Sequence, residues 1–186
     1  KDINMDLKDT LNEALRGKLK RFSKNAIQTK EECTCFPKDK TELRKIIRDR
    51  VKEDPHCDLN DIWVGDITDM SYLFEYSSFN GDISRWNVSK VADMSCMFSK
   101  SNFNSDISIW DVSKVECMSS MFTNSKFDGD LSSWDVGNVE NMDFMFNNSK
   151  FDGDISSWDV RKVQDMRGMF FRCPLEKNPP KWYKGE

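Results

Sequence analysis

Apolar residues recur along this chain with a period of 24, from about residue 55 to residue 174. Phe79, Phe103, Phe127 and Phe151 each open a segment of one design, of which Phe151-Asp152-Gly153-Asp154-Ile155-Ser156-Ser157-Trp158-Asp159-Val160 is one copy. In the second half of the unit Val91, Met94, Met97 and Phe98 return as Val115, Met118, Met121 and Phe122. They return again as Val139, Met142, Met145 and Phe146, and then as Val163, Met166, Met169 and Phe170. A degenerate first copy precedes them. Leu59, Val64, Ile67, Met70, Leu73 and Phe74 keep the register, with Pro55 where Phe is expected. An atypical terminal copy is what a stacked array needs at its end.

Within each copy the apolar spacing changes. Asp-Ile-Ser alternates polar and apolar, which predicts a short strand with Ile83, Ile107, Leu131 and Ile155 in one core column. Val139, Met142, Met145 and Phe146 follow at steps of three and one, which predicts one face of a short helix or 3₁₀ turn. Polar residues such as Asn147-Asn148-Ser149-Lys150 then form a loop. The expected fold class is an α/β solenoid of about five 24-residue repeats over 55–174, each a short parallel strand plus a short helical turn. One copy cannot bury its own apolar side, so the core must come from stacking.

The flanks carry helical patterns. Asp39 with Glu42 is a capping-box signal for a capping helix over 40–54, whose face Leu43, Ile46, Ile47 and Val51 suits the first repeat. Within 1–39, Leu7, Leu11, Leu15, Leu19 and Phe22 predict an amphipathic helix over 5–22. It packs on the repeats or pairs two chains into a homodimer. Its basic end, Arg16, Lys18, Lys20, Arg21 and Lys24, is the sharper alternative of a membrane-surface contact, which Asp2, Asp6, Asp9 and Glu13 weaken. Pro174, Pro179 and Pro180 end the pattern, leaving 175–186 as a C-terminal cap with Trp182 and Tyr183 over the last repeat.

Charge narrows the function. Residues 1–54 carry 15 basic and 11 acidic side chains, net +4; residues 55–186 carry 13 and 21, net −8. Acidic repeats argue against nucleic-acid binding, which relies on cations neutralising phosphates. No apolar run is long enough to span a bilayer. The chain opens Lys1-Asp2 without a start Met or apolar signal core, which reads as processing or trimming. With one His, no phosphate loop and no nucleophile elbow, the chain is expected not to be an enzyme and to need no cofactor.

The phrases Phe-Asn-Gly-Asp-Ile-Ser-Arg-Trp-Asn-Val-Ser-Lys-Val-Ala-Asp-Met (79–94) and Phe-Asp-Gly-Asp-Ile-Ser-Ser-Trp-Asp-Val (151–160) resemble the BspA-type leucine-rich-repeat surface proteins of bacteria, including mycoplasma lipoprotein repeats of similar length. Thr41–Ile47 followed by Cys57–Ile62 is similar to the lead-in found before such repeats, and the likeness covers about two thirds of the chain. The resemblance implies a leucine-rich-repeat-like, right-handed coil, a role in adhesion or host contact, and a cell-surface or secreted location. It brings no catalytic residues with it.

Three sets of residues could carry chemistry. Cys33, Cys35, His56 and Cys57 have zinc-ligand types at poor spacing. A disulfide from Cys33 or Cys35 to Cys57 is the competing use in an exported protein, and free thiols are the third. Asp58, Asp82, Asp106, Asp130 and Asp154 form one acidic column, beside the serines Ser84, Ser108, Ser132 and Ser156. At strand-like spacing of about 5 Å adjacent carboxylates repel by about 0.9 kcal/mol even at the dielectric of water. Either calcium at the Asp-Gly-Asp sites or backbone N–H groups of each turn must offset this; the Asn at positions 80 and 104 favours the latter. Trp86, Trp110, Trp134 and Trp158 are core at a corner or an exposed stacking strip. The leading expectation is a recognition or adhesion module whose strand face, with its Asp and Ser columns, binds a protein or glycan. The alternative is a cytoplasmic scaffold, effector or inhibitor acting by protein–protein interaction.

Overall fold

The computed structural model describes residues 26–185, so the helix expected over 5–22, and any homodimer through it, lies outside the described residues. Among the described residues a single α-helix, α1 (Lys40–Glu53), precedes the repeats, and 3₁₀ turns lie at Lys30–Glu32 and Pro174–Glu176. Asp39 caps α1 by accepting the Glu42 N–H at 2.9 Å, while the Glu42 carboxylate accepts the Lys38 N–H at 2.9 Å. Leu43, Ile47 and Val51 are buried in the same core as the repeats.

The repeats stack as rungs with a strict offset of 24. Parallel bridges join Asp69 to Asp93, Asp93 to Cys117, Cys117 to Asn141 and Asn141 to Asp165. In the run after each bridge every second N–H leaves its own rung. Met118, Ser120, Phe122 and Asn124 donate to the carbonyls of Asn141, Asp143, Met145 and Asn147 in the next rung, at 2.8–2.9 Å. The N–H groups in between stay at home: Met121 donates to Met118, Thr123 to Ser120 and Ser125 to Phe122, at 3.1–3.2 Å.

This pattern overturns the α/β solenoid. Among the described residues there is no sheet, the bridges are isolated, and the one α-helix lies outside the repeats. Asp130-Leu131-Ser132, expected as a strand, is a corner: the Ser132 N–H donates to Asp130 Oδ1 at 2.9 Å and the Trp134 N–H to the Leu131 carbonyl at 3.1 Å. The expected helical turn is a pair of successive reverse turns. Its residues Tyr72, Cys96, Ser120, Phe144 and Gly168, and again Tyr76, Lys100, Asn124, Asn148 and Arg172, have φ between 49° and 60°. A right-handed helix has negative φ and keeps each N–H inside itself. A reverse turn also brings residues three apart together, so spacing alone does not separate the two.

Stacking produces the core. Phe74, Phe98, Phe122, Phe146 and Phe170 form one ring ladder at centroid spacings of 5.5–6.1 Å. Phe79, Phe103, Phe127 and Phe151 form a second at 6.0–6.4 Å. The Trp column is interior, with relative exposures of 0–4% for Trp86, Trp110, Trp134 and Trp158. Each indole N–H donates to a carbonyl 27 residues back, as from Trp134 to Ile107 at 3.2 Å and from Trp158 to Leu131 at 3.0 Å. Trp182 continues this column, donating to the Ile155 carbonyl at 2.9 Å and stacking on Trp158 at 6.3 Å.

The left-handed positions give a sharp test. Ser120→Gly is expected to leave stability unchanged or raise it by about 1 kcal/mol, because glycine carries no Cβ penalty there. Ser120→Val is expected to lower it by more than about 1 kcal/mol, a β-branched residue being a poor occupant of positive φ. Urea unfolding of both variants checks the order; a helical segment would reverse it.

Candidate functional site

The acidic column is built one corner at a time. The backbone N–H two residues on donates to Oδ1 of Asp58, Asp82, Asp106, Asp130 and Asp154 at 2.8–2.9 Å. The donor residues are Asn60 and then the serine column, Ser84, Ser108, Ser132 and Ser156, so the two predicted columns meet as partners in the same turns. All five aspartates are exposed; Ser84 and Ser108 are half-buried, Ser132 and Ser156 exposed. The Ser132 and Ser156 backbone N–H groups hold the Asp130 and Asp154 carboxyls below the usual carboxylate range. A second exposed column, Asp111, Asp135 and Asp159, lies five residues on. Asp111 accepts from the Ser113 N–H at 3.1 Å and Asp135 from the Gly137 N–H at 3.0 Å. Asp159 is drawn down to about 2, first by its side-chain bonds to Arg161.

Offset to one side is a ladder that the residue types permit but spacing alone does not show. The Asn104 N–H donates to Asn80 Oδ1, Asp128 N–H to Asn104 Oδ1 and Asp152 N–H to Asp128 Oδ1, at 2.8–3.0 Å and always across one rung. Asn and Asp alternate freely at this position because both present the Oδ1 acceptor. The interchange was the available signal. Backbone donors thus occupy the Asp-Gly-Asp sites. Among the described residues no three His, Cys, Asp or Glu side chains gather as a metal ion requires, so neither those sites nor Cys33, Cys35, His56 and Cys57 form a ligand set. All six cysteines are free in this structure; Cys33 is buried, with its thiol directed to the Thr29 carbonyl at 3.4 Å.

The columns are not equally open along the stack. Residues 26–35 run across the first two rungs: Gln28 N–H donates to the Arg85 carbonyl at 2.7 Å, Trp63 N–H to Cys35 at 2.8 Å, and Arg85 Nη2 contacts Glu32 at 2.8 Å. Arg50 clamps Asp61 with both guanidinium nitrogens. That bond lowers the Asp61 carboxyl, and Thr34 adds to it, against the opposing effect of burial. The rungs after these two leave Ile109 exposed, with Ser133 and Ser157 beside the carboxylates. Elsewhere an open groove of about 1000 Å³ lies between α1 and the first rung, lined by Lys38, Arg44, Lys45, Arg48, Lys52 and Tyr76 among others. The basic spacing along 44–52 was visible in the sequence, whereas the facing wall was not.

The family model described as "Mycoplasma protein of unknown function, DUF285" matches residues 42–150 and 123–183. Comparison with the curated proteins gives no match, and neither does comparison with the solved structures. No helix among the described residues is long and apolar enough to cross a membrane.

Asp130→Asn keeps the Oδ1 acceptor and is expected to leave stability at neutral pH nearly unchanged, whereas Asp130→Ala is expected to lower the urea midpoint by removing the acceptor of the turn N–H. The sign with pH follows from the lowered pKa: the carboxylate's contribution is present above the unfolded value and lost as pH falls through the folded one. Urea midpoints from about pH 5 to about pH 2 should therefore fall less steeply for Asp130→Asn than for the parent.

Proposed function

We propose, from the premise that the chain belongs to the DUF285 family of Mycoplasma proteins of unknown function, that it is a non-catalytic recognition module displayed at the cell surface. Its acidic columns meet a cationic protein surface. The observation that carries this is the run of exposed carboxylates on the third to fifth rungs: Asp106, Asp130 and Asp154, flanked by Asp111, Asp135 and Asp159. Every one recurs at the rung offset, and a ladder of identical groups suits an extended partner better than a convergent reaction centre. Held on turns, the carboxylates are pre-organised, so little ordering cost falls on binding. Their common sign attracts Lys and Arg and speeds encounter at low salt. The likeness of the 79–94 and 151–160 phrases to BspA-type surface repeats supports the surface location and a role in adhesion.

The test uses a twelve-residue peptide of alternating Lys and Ser as probe. The parent is expected to bind it with an affinity that falls as salt rises, and the triple variant Asp106→Asn, Asp130→Asn, Asp154→Asn at least about tenfold more weakly. Glu116→Gln with Glu140→Gln, on another column, should bind as the parent does. Equal binding by the triple variant and the parent rejects the acidic face. Capture of neutral glycans that the triple variant leaves intact would also reject the cationic-protein reading.

A further inference from the structure

The two ends of the stack are closed differently. At the first rung α1 lays Leu43, Ile47 and Val51 on the core. At the fifth, residues 175–183 cover only one side: Trp182 stacks on Trp158 and lies 6.1 Å from Phe170, and Tyr183 meets Phe170 edge-on at 4.8 Å. Among the described residues the other side has no such cover. Val160, Val163 and Met166 are half-buried, whereas Val136, Val139 and Met142 one rung earlier are at most 1% exposed.

The backbone is open on that same side. Met142, Phe144, Phe146 and Asn148 donate to the carbonyls of Asp165, Arg167, Met169 and Phe171 at 2.7–3.0 Å. The corresponding N–H groups of Met166, Gly168 and Phe170 have no acceptor among the described residues, and only that of Arg172 is met, by Glu176 Oε2 at 3.0 Å. One acceptor lies next to them in register. The Glu140 carbonyl takes the N–H of Gln164 at 2.7 Å, so the Gln164 carbonyl awaits a donor from the same neighbour.

We propose that this edge binds a polypeptide segment of a partner protein in rung conformation, a unit of the same repeat type. Such a segment brings three carbonyls to Met166, Gly168 and Phe170, an N–H to Gln164, and apolar side chains to Val160, Val163 and Met166. Two other occupants fail on hydrogen-bond polarity or access. A second copy meeting this edge tail to tail sets its N–H row against the same N–H row. A second copy arriving head first has its matching carbonyl row, from Asp69 to Glu75, on the rung that α1 covers. The pairing is a form of edge augmentation, in which backbone bonds give affinity and side-chain fit gives choice of partner. It does not rest on the acidic face.

The experiment uses the full chain and a synthetic peptide copying residues 136–151, whose carbonyls at Asn141, Asp143, Met145 and Asn147 already serve this purpose inside the stack. Saturating peptide is expected to slow amide hydrogen exchange at Met166, Gly168 and Phe170 at least about tenfold. Binding by fluorescence anisotropy should be lost in Met166→Lys and kept in Arg48→Ser at the opposite end. The exchange result on the parent stands whether or not Met166→Lys folds. The proposal is overturned if those amides stay unprotected with about 1 mM peptide. Protection without peptide, together with dimer mass in sedimentation, would also overturn it by showing that a second copy occupies the edge.

Discussion

Everything in the repeats depends on the alternation of N–H directions in the Met–Phe run. A chain that sends every second N–H to the next rung, and keeps the others in short turns, has to reverse its backbone twist twice per rung. It does so at the positions of Ser120 and Asn124, where φ is 56° and 55°. Such residues cost of order 1–3 kcal/mol each when they are not glycine. The cost is tolerated because each reversal fixes a cross-rung hydrogen bond and turns Met118, Met121 and Phe122 into the core together. It also points the left-handed side chains away from the core, which accounts for exposed Tyr72, Tyr76 and Phe144 in an otherwise well-packed repeat.

The same constraint governs charge. Stacking at a fixed offset puts like residues above like, so an aspartate in one rung implies aspartates above and below. Repulsion between neighbouring carboxylates is set against a charge-assisted bond from a backbone N–H to each of them. The bond prevails, and the lowered carboxyls of Asp130 and Asp154 are its electrostatic trace. Carboxylates are therefore used here first as turn-formers. Their outward charge, on which the recognition proposal draws, comes with that role.

The period, the core columns and the helix capped by Asp39 were legible in the sequence, because burial leaves a one-dimensional trace. The identity of the elements was not. Met142, Met145 and Phe146 have the spacing of a helix face and equally of consecutive reverse turns; only the sign of φ separates them, and Phe144, a bulky residue at 54°, gives no hint of it. Gly168 in the same column did carry the hint. At the candidate site, the use of each Asp as an acceptor within its own turn followed from residue types, whereas the Ser column as the donor did not. The cross-rung ladder from Asn80 to Asp152 and the passage of residues 26–35 over the first two rungs depend on tertiary placement. The place of Trp182 over the last repeat was legible, whereas its continuing the Trp column in register was hidden by the prolines before it, which suggested that the repeat had stopped.

Departures from the period then become the informative residues, since each must be matched in a neighbouring rung. Phe144 and Gly168 occupy one column in successive rungs, and a Cβ on Gly168 would lie 2.6 Å from the Phe144 ring. The large side chain and the missing one are two halves of a single accommodation. Gly81 repeats the logic at the start of the stack, where a Cβ would lie 2.0 Å from the Cys57 carbonyl; Ser105, one rung on, finds room and donates its hydroxyl toward Asn80. Ile109 has no such counterpart. It stands exposed among Arg85, Ser133 and Ser157, just beyond the rungs that residues 26–35 cover, and neither stacking nor turn formation asks for an isoleucine there. An apolar side chain beside a row of carboxylates is the kind of anchor a protein surface can cover. On the acidic face, then, the aperiodic residue bears more closely on the proposed recognition than the periodic ones do.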